Sequence, residues 1–284
     1  MENNDRACGG NVKKYGFVII HYCALIISMM LLISCRDIFQ FSPHQTDIDP
    51  ALTNETHKNI VRLTQYDPGI ATRFSFAIIS DTHCYYKDFD EAVTHINGDT
   101  EIQFTIHAGD MTDLGLKQQY EIACSIMQRF KKPYFTVIGN HDCLSNGQEI
   151  YTKMFGDFYY AFSFADTIFF MFHDNIWELD NIPPDVEELD RLLTEFDSFN
   201  HMILVGHIPP FGDQFDYPIE KAYRDVLEKH SVTLSAHGHV HQFMYDPDYY
   251  NDNIPYLTVD TIANRHYAKI TIDGDSLIVE NVRF

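Results

Sequence analysis

Ser75-Phe76-Ala77-Ile78-Ile79-Ser80-Asp81-Thr82-His83 decides how the rest of the chain is read. Residues suited to a buried strand run directly into polar ones, two of which can hold a metal ion. The same pattern returns twice. Ile102 to Ile106 is a strand that leads into His107-Ala108-Gly109-Asp110-Met111-Thr112-Asp113, and Tyr134 to Ile138 leads into Gly139-Asn140-His141-Asp142. Phe89, Ala92, Val93 and Ile96 mark one helical face between the first two strands. Tyr120, Ala123, Cys124 and Met127 mark another between the second and third. Such β-α-β units predict right-handed crossovers and a largely parallel sheet covered on both faces.

The second half keeps the alternation and adds hairpins. Tyr160 to Phe164 and Thr167 to Phe172 flank Ala165-Asp166 as an antiparallel pair. Asp185 is placed to cap a helix with Glu188 reaching back, and Val186, Leu189, Leu193 and Phe196 form its apolar face. Strand His201 to Val205 follows, then a helix carrying Ile219, Ala222, Tyr223, Val226 and Leu227, then strand Val232 to Ala236. Three strands near Pro255 to Val259, His266 to Ile272 and Ser276 to Val282 end the sequence, with Asp273-Gly274 as a turn. The fold class expected is α/β, a four-layer α-β-β-α sandwich.

Composition narrows the function. With 284 residues, 45% apolar and 14% aromatic, there is ample material for a core. Acidic residues outnumber basic ones 41 to 20, so no nucleic-acid binding surface is expected. Carboxylates and 15 histidines are instead what a metal site is made of.

The first residues read as an export signal. Lys13 and Lys14 precede an uncharged run from Phe17 to Ser34, which meets Cys35, Arg36 and Asp37. Leu32-Ile33-Ser34-Cys35 resembles the bacterial lipoprotein box. The expectation is a signal peptide over 1–34, a lipidated Cys35 with a polar tether over 35–70, and a catalytic domain over 71–284. An uncleaved signal anchor is the alternative. Either way the chain is expected to be exported and membrane-anchored in a bacterial cell envelope. Cys84, Cys124 and Cys143 then remain, too few for a disulfide framework. Whether Cys84 and Cys143 pair is open, and Cys124 belongs to an apolar helix face.

Five strands end in polar clusters: the three above, Gly206-His207-Ile208-Pro209-Pro210, and His237-Gly238-His239-Val240-His241. Four are led by a glycine, which lets the backbone turn so that the next side chain faces a common site. Asp81 with His83, and His239 with His241, are spaced i and i+2, the period that puts side chains on one face of an extended strand about 6 to 7 Å apart. His107 and His237 sit beside motif glycines as candidate supports. Tyr85, Tyr86, Phe211, Phe215 and Tyr217 follow two of the motifs and either stack on a substrate or pack at the rim.

The ordered set D-T-H, G-D-M-T-D, G-N-H-D, G-H-I-P-P and G-H-V-H resembles the calcineurin-like metallophosphoesterase superfamily, from about Arg73 to the C-terminus. The resemblance implies the metallo-dependent phosphatase fold and two divalent metal ions, Mn, Fe or Zn. One would be held by Asp81, His83, Asp110 and His241, the other by Asp110, Asn140, His207 and His239. It further implies hydrolysis of phosphate esters by a hydroxide bridging the ions, with His141 as the catalytic residue and Asp142 as its possible orienting partner. Asp113 and His83 depart from the purple acid phosphatase pattern and look most like the bacterial cyclic-nucleotide phosphodiesterase branch. The expected substrate is a small-molecule or lipid-headgroup phosphate ester, a phosphodiester before a phosphomonoester. A non-catalytic scaffold of the same fold is the alternative from another class.

Overall fold

The computed structural model describes residues 21–30, 42, 44–65, 71 and 73–284. It separates into two compact units, 1–43 and 44–284. In the first unit residues 21–30 are helical with every side chain exposed. Lys13, Lys14, Ser34 and Cys35 lie outside the described residues, so the expected cleavage and lipidation site does too. Among the described residues no helix is long and apolar enough to cross a membrane.

The second unit is built on two sheets. Strands β1 (Arg73–Ile79), β2 (Ile102–Ala108), β3 (Tyr134–Val137), β10 (His266–Asp273) and β11 (Ser276–Arg283) form the first, in the order β11-β10-β1-β2-β3. Strands β4 (Tyr160–Phe164), β5 (Thr167–Met171), β6 (His201–Val205), β7 (Leu234–His237), β8 (Met244–Asp246) and β9 (Tyr256–Thr258) form the second, ordered β4-β5-β6-β7-β9-β8. In the first sheet β1, β2 and β3 are parallel, with β10 antiparallel beside β1 and β11 antiparallel beside β10; in the second β5, β6, β7 and β9 are parallel, and the edge strands β4 and β8 are antiparallel. The sheets are therefore mixed, less uniformly parallel than the β-α-β reading alone implies.

Period-two alternation divides the core. Phe74, Phe76 and Ile78 of β1 face the second sheet, whereas Ala77 and Ile79 face the helices α2 (Tyr86–Gly98), α3 (Lys117–Met127) and α4 (Gly147–Met154). Ile203 and Val205 of β6 face the first sheet, and Met202 and Leu204 face α5 (Val186–Glu195) and α6 (Tyr217–Lys229). Between the sheets Phe76 stacks on Phe104 at 5.3 Å, and Phe162 lies 3.7 Å from Phe135 and 4.9 Å from Phe169. Each such ring contributes roughly 1.5–3 kcal/mol on burial. The result is the four-layer α-β-β-α sandwich.

The polar stretch read as a tether does more than give reach. Its helix α1 (Glu55–Leu63) is docked on β3: Asn59 Oδ1 accepts from Tyr134 N at 3.1 Å, and the Tyr134 hydroxyl donates to buried Glu55. The compact unit thus starts at His44, ahead of the boundary expected at 71. Asp185 caps α5 by accepting from Glu188 N, but the Glu188 carboxylate turns to Arg191 and does not reach back.

Candidate metal centre

Every motif lies just past the C-terminal end of a parallel strand: Asp81 and His83 after β1, Asp110 after β2, Asn140 and His141 after β3, His207 after β6, His239 and His241 after β7. This is the edge at which open α/β sheets present ligand-binding loops. The local conformation differs from the expected extended one. Asp81 (φ 51°), His83 (φ 43°), Asp110 (φ 56°), His239 (φ 68°) and His241 (φ 53°) all occupy the left-handed region. For residues with a Cβ this costs roughly 1–3 kcal/mol each and persists only where surroundings enforce it. At Asp81 and His83 backbone rungs do so: Asp81 N donates to Gly109 O and His83 N to Asp110 O, both at 3.0 Å. Asp81 and His83 therefore converge through a turn and not through strand pleating, and the same holds for His239 and His241.

The side chains gather into two groups, Asp81 with His83 and His241, and Asp110 with His207 and His239. Within each, the ligand atoms lie within 4.8 Å of one another. Asp110 Oδ2 stands between them, 3.8 Å from His83 Nε2 and 3.3 Å from His207 Nε2. Asn140 joins the second group, its Oδ1 lying 3.2 Å from His207 Nε2 and 3.1 Å from His239 Nδ1. All seven expected ligands are thus brought together. Each buried carboxylate spends one oxygen on a backbone amide, Asp81 Oδ2 on His239 N and Asp110 Oδ1 on His141 N, leaving the other for a cation. His207 Nδ1 donates to Ala108 O at 2.8 Å, which fixes its tautomer and turns Nε2 into the site.

Electrostatics support a cation here. Burial disfavours charge on both Asp110 and His207, yet each holds the other charged, the carboxyl below the usual range and the imidazole above it. His241 is likewise lifted by its hydrogen bond to Asp81. Surroundings that draw protons onto His207 and His241 are ones where a divalent ion can take the protons' place. Imidazole, carboxylate and amide donors without thiolate fit such an ion.

His141 stands beside the first group, ring centroid 4.9 Å from His83, in a 420 Å³ pocket lined by His83, Cys84, Tyr85, Asp113, His141 and His241. A carbonyl can only accept, so the 2.9 Å contact of its Nδ1 with Asp113 O places the proton on Nδ1 and frees Nε2. Asp142 does not touch that ring. Its buried carboxylate accepts from the amides of Gly139, Met111 and Thr112 and from the Thr112 hydroxyl, tying two ligand loops together. The orienting partner of His141 is a carbonyl, which no side-chain pattern reveals.

A family model for calcineurin-like phosphoesterases matches residues 74–243. The chain belongs to the calcineurin-like phosphoesterase family. Family membership makes it a metal-dependent phosphoric ester hydrolase. A probable cyclic nucleotide phosphodiesterase of Xenorhabdus bovienii is 27% identical over 180 residues, covering 55% of this chain and 69% of that protein. Among solved structures, the purple acid phosphatase PPD1 of yellow lupin (Lupinus luteus) seeds superposes with a TM-score of 0.60 at 15% identity, over 76% of this chain and 52% of its own, so this chain spans about half its length. GAP50, the anchor in the inner membrane complex of Plasmodium, gives 0.56 at 11% identity over 74% and 84%. At these identities the two structures are likenesses of fold.

The remaining calcineurin-like phosphoesterase side chains sort by contact. His107 Nε2 bonds Thr82 Oγ1 at 3.0 Å and His237 Nε2 bonds Ser235 Oγ at 2.7 Å, both buried beneath ligand loops. Tyr85 is exposed on the pocket wall, and Tyr217 is exposed elsewhere. Phe215 is buried and Phe211 stacks on Tyr249 at 4.5 Å, so these pack. Cys84 and Cys143 are free thiols, one exposed and bonded to Gln119 and Tyr86, the other buried with the helices. Cys124 is buried on its helix face, as expected. Sequence reading missed two carboxylates, Asp213 at 3.2 Å from His239 Nε2 and Asp174 against the His207 backbone. Asp174 stands in His173-Asp174-Asn175 past the end of β5, a polar strand end without a glycine to mark it.

Proposed function

We propose that the protein hydrolyses phosphodiesters at a dinuclear centre in which Asp81, His83, Asp110 and His241 hold one divalent ion, and Asp110, Asn140, His207 and His239 the other. The observation that carries this is Asp110 Oδ2, which faces an imidazole of each group. Mn, Fe or Zn suits the mixed nitrogen and oxygen donors better than Ca, which takes an all-oxygen shell. When bound, such ions make water a nucleophile at neutral pH and offset charge on phosphoryl oxygens. The chain's own work is positional. His141, held through its Nδ1–H by the Asp113 carbonyl, turns Nε2 toward the leaving oxygen; as the imidazolium it would give that oxygen the Nε2 proton and be left as the neutral Nδ1–H tautomer. Tyr85 supplies an apolar face on the wall of the pocket where the ester's alcohol would lie.

A diester is preferred because the matched Xenorhabdus protein is a probable cyclic nucleotide phosphodiesterase and because the pocket lining carries no lysine or arginine to meet a second phosphate charge. Attachment to a cell-envelope membrane belongs to the same proposal. It is supported by Lys13 and Lys14 ahead of the apolar run, by Cys35 at its end, and by the uncovered apolar side chains of residues 21–30. Turnover of a panel of phosphodiesters, phosphomonoesters and pyrophosphates by metal-loaded protein is the test. Diester hydrolysis abolished by chelation and restored by Mn²⁺ is expected. Full activity without metal, or none with any ester, ends the proposal.

A further inference from the structure

Asp174 is completely buried, and no lysine or arginine is paired with it among the described residues. A carboxylate in that position needs strong donors. They come from one loop. His207 N lies 3.0 Å from both Oδ1 and Oδ2, and Ile208 N lies 3.0 Å from Oδ1. His237 Nδ1, from the next strand, stands 3.6 Å from Oδ2. The neighbouring Gly206 has given up its side chain for this arrangement, since a Cβ there would run into Asp174 Oδ2 and the Phe172 ring. The carboxylate thus joins the ends of three adjacent strands, β5, β6 and β7, at the residue that carries a ligand of the second group.

We infer that Asp174 is a positioning residue: it clamps the backbone of His207 and thereby sets the affinity of the Asp110, Asn140, His207 and His239 group selectively. The selectivity follows from what else holds each group. His207 is fixed at its amide by Asp174 and at Nδ1 by Ala108 O, with Gly238 N on its carbonyl. Asp81 and His83 are fixed by the rungs to Gly109 and Asp110, which Asp174 does not touch. Loosening the clamp therefore frees His207, and leaves Asp81 and His83 on their rungs and the His241 ring on Asp81 Oδ1 at 3.1 Å. Asp174→Asn is the sharp variant. It keeps the shape but presents an NH₂ where one oxygen accepted, so two amides must share one acceptor.

The inference rests on the two groups being metal sites, and two readouts separate the claims. In the metal-free protein, Asp174→Asn should speed amide hydrogen exchange at His207 and Ile208 by about tenfold or more, leaving Asp81 and His83 unchanged. In a Zn²⁺ titration followed by imidazole NMR, the His207 and His239 signals should saturate at about 10- to 100-fold higher free Zn²⁺ than in the wild type, while those of His83 and His241 keep their midpoint. Asp252→Asn is the control, a buried carboxylate that also accepts from a backbone amide, Ile254 N, at a distance from the ligands in sequence. Equal weakening of both groups, or of neither, overturns the inference. If wild-type protein takes up no Zn²⁺, the metal proposal fails and the exchange data alone judge the clamp. Should Asp174→Asn not fold, exchange in wild-type protein decides: His207 and Ile208 amides must be as protected as those of β6, and exchange at loop rates overturns the clamp.

Discussion

A single imidazole nitrogen carries the chemical step proposed for this enzyme. The His141 ring belongs to neither ligand group, whereas Asn140 stands in the second, and the Nδ1 of His141 is taken by the Asp113 carbonyl, so Nε2 is available for proton transfer. His141→Ala should lower kcat by about 100-fold with both metals retained. Metal analysis of the purified variant checks it, and lost stoichiometry would show that His141 is a ligand. Other histidines work by staying neutral. Burial lowers the pKa of His173 to about 4, against an ordinary value of 6.5, and its Nδ1 takes 2.8 Å contact from Asn175 Nδ2. Folding thus excludes a proton that the unfolded chain binds. The stability this confers is full above pH 6.5 and is lost as pH falls toward about 4. His173→Asn keeps an acceptor and cannot titrate, so urea midpoints of its metal-free form should fall less between pH 6.5 and 4 than those of the wild type. Equal slopes would refute this.

At the scale of the elements, what could be read in the sequence was whatever a short-range pattern encodes. The helical face Phe89, Ala92, Val93 and Ile96 is buried as a set, and β6 spans His201–Val205 as expected, because burial periodicity and strand geometry act within a few residues. The polar clusters stood out because each ends a strand beside a glycine or in a D-x-H, and the resemblance to calcineurin-like phosphoesterases then implied which seven residues in them are ligands. Asp174 and Asp213 did not stand out, since their partners are backbone amides and a side chain 26 or more residues away. Helix α4 and the short β8 carry too little periodicity to stand out, and the left-handed turns at Asp81 and His239 are held from other loops, by Gly109 O and by the Asp81 carboxylate. The docking of α1 was hidden for the same reason. β3 is an edge strand, and its exposed amide at Tyr134 is covered by Asn59 Oδ1 from a segment that reads as a polar tether. Asn59→Ala leaves that amide unpaired and should cost about 1–3 kcal/mol, measured by chemical denaturation. An unchanged midpoint would mean that solvent reaches Tyr134 N and α1 is not a true edge cover.

For the whole molecule, the proposed membrane attachment raises the question of how a compact catalytic unit beginning at His44 would be held there. Among the described residues of this unit the exposed large apolar side chains, such as Val61, Tyr85, Trp177 and Tyr217, are spread over separate elements, and the full chain's net charge of −21 opposes binding to anionic lipid. The proposal therefore assigns attachment to the N-terminal unit. There, Tyr22, Leu25, Ile26, Ile27, Met29 and Met30 are all exposed within the helical residues 21–30, a density of uncovered apolar surface that water does not tolerate well. Two arrangements satisfy it. Either the segment is a signal peptide removed when Cys35 is lipidated, or it stays in the bilayer as an anchor with Lys13 and Lys14 on the cytoplasmic side. They differ in what Cys35 does. A single acyl chain binds membranes only marginally, so the first route needs the multiple acyl chains of a lipoprotein for stable attachment. In that case Cys35→Ser should block maturation, leaving a precursor that retains residues 1–34, with no fatty acid released from it and no change in diester turnover by the 44–284 unit. Mass spectrometry of the mature wild-type chain should find its first residue to be a modified Cys35. An intact N-terminus with an unmodified thiol would assign the attachment to the apolar segment instead.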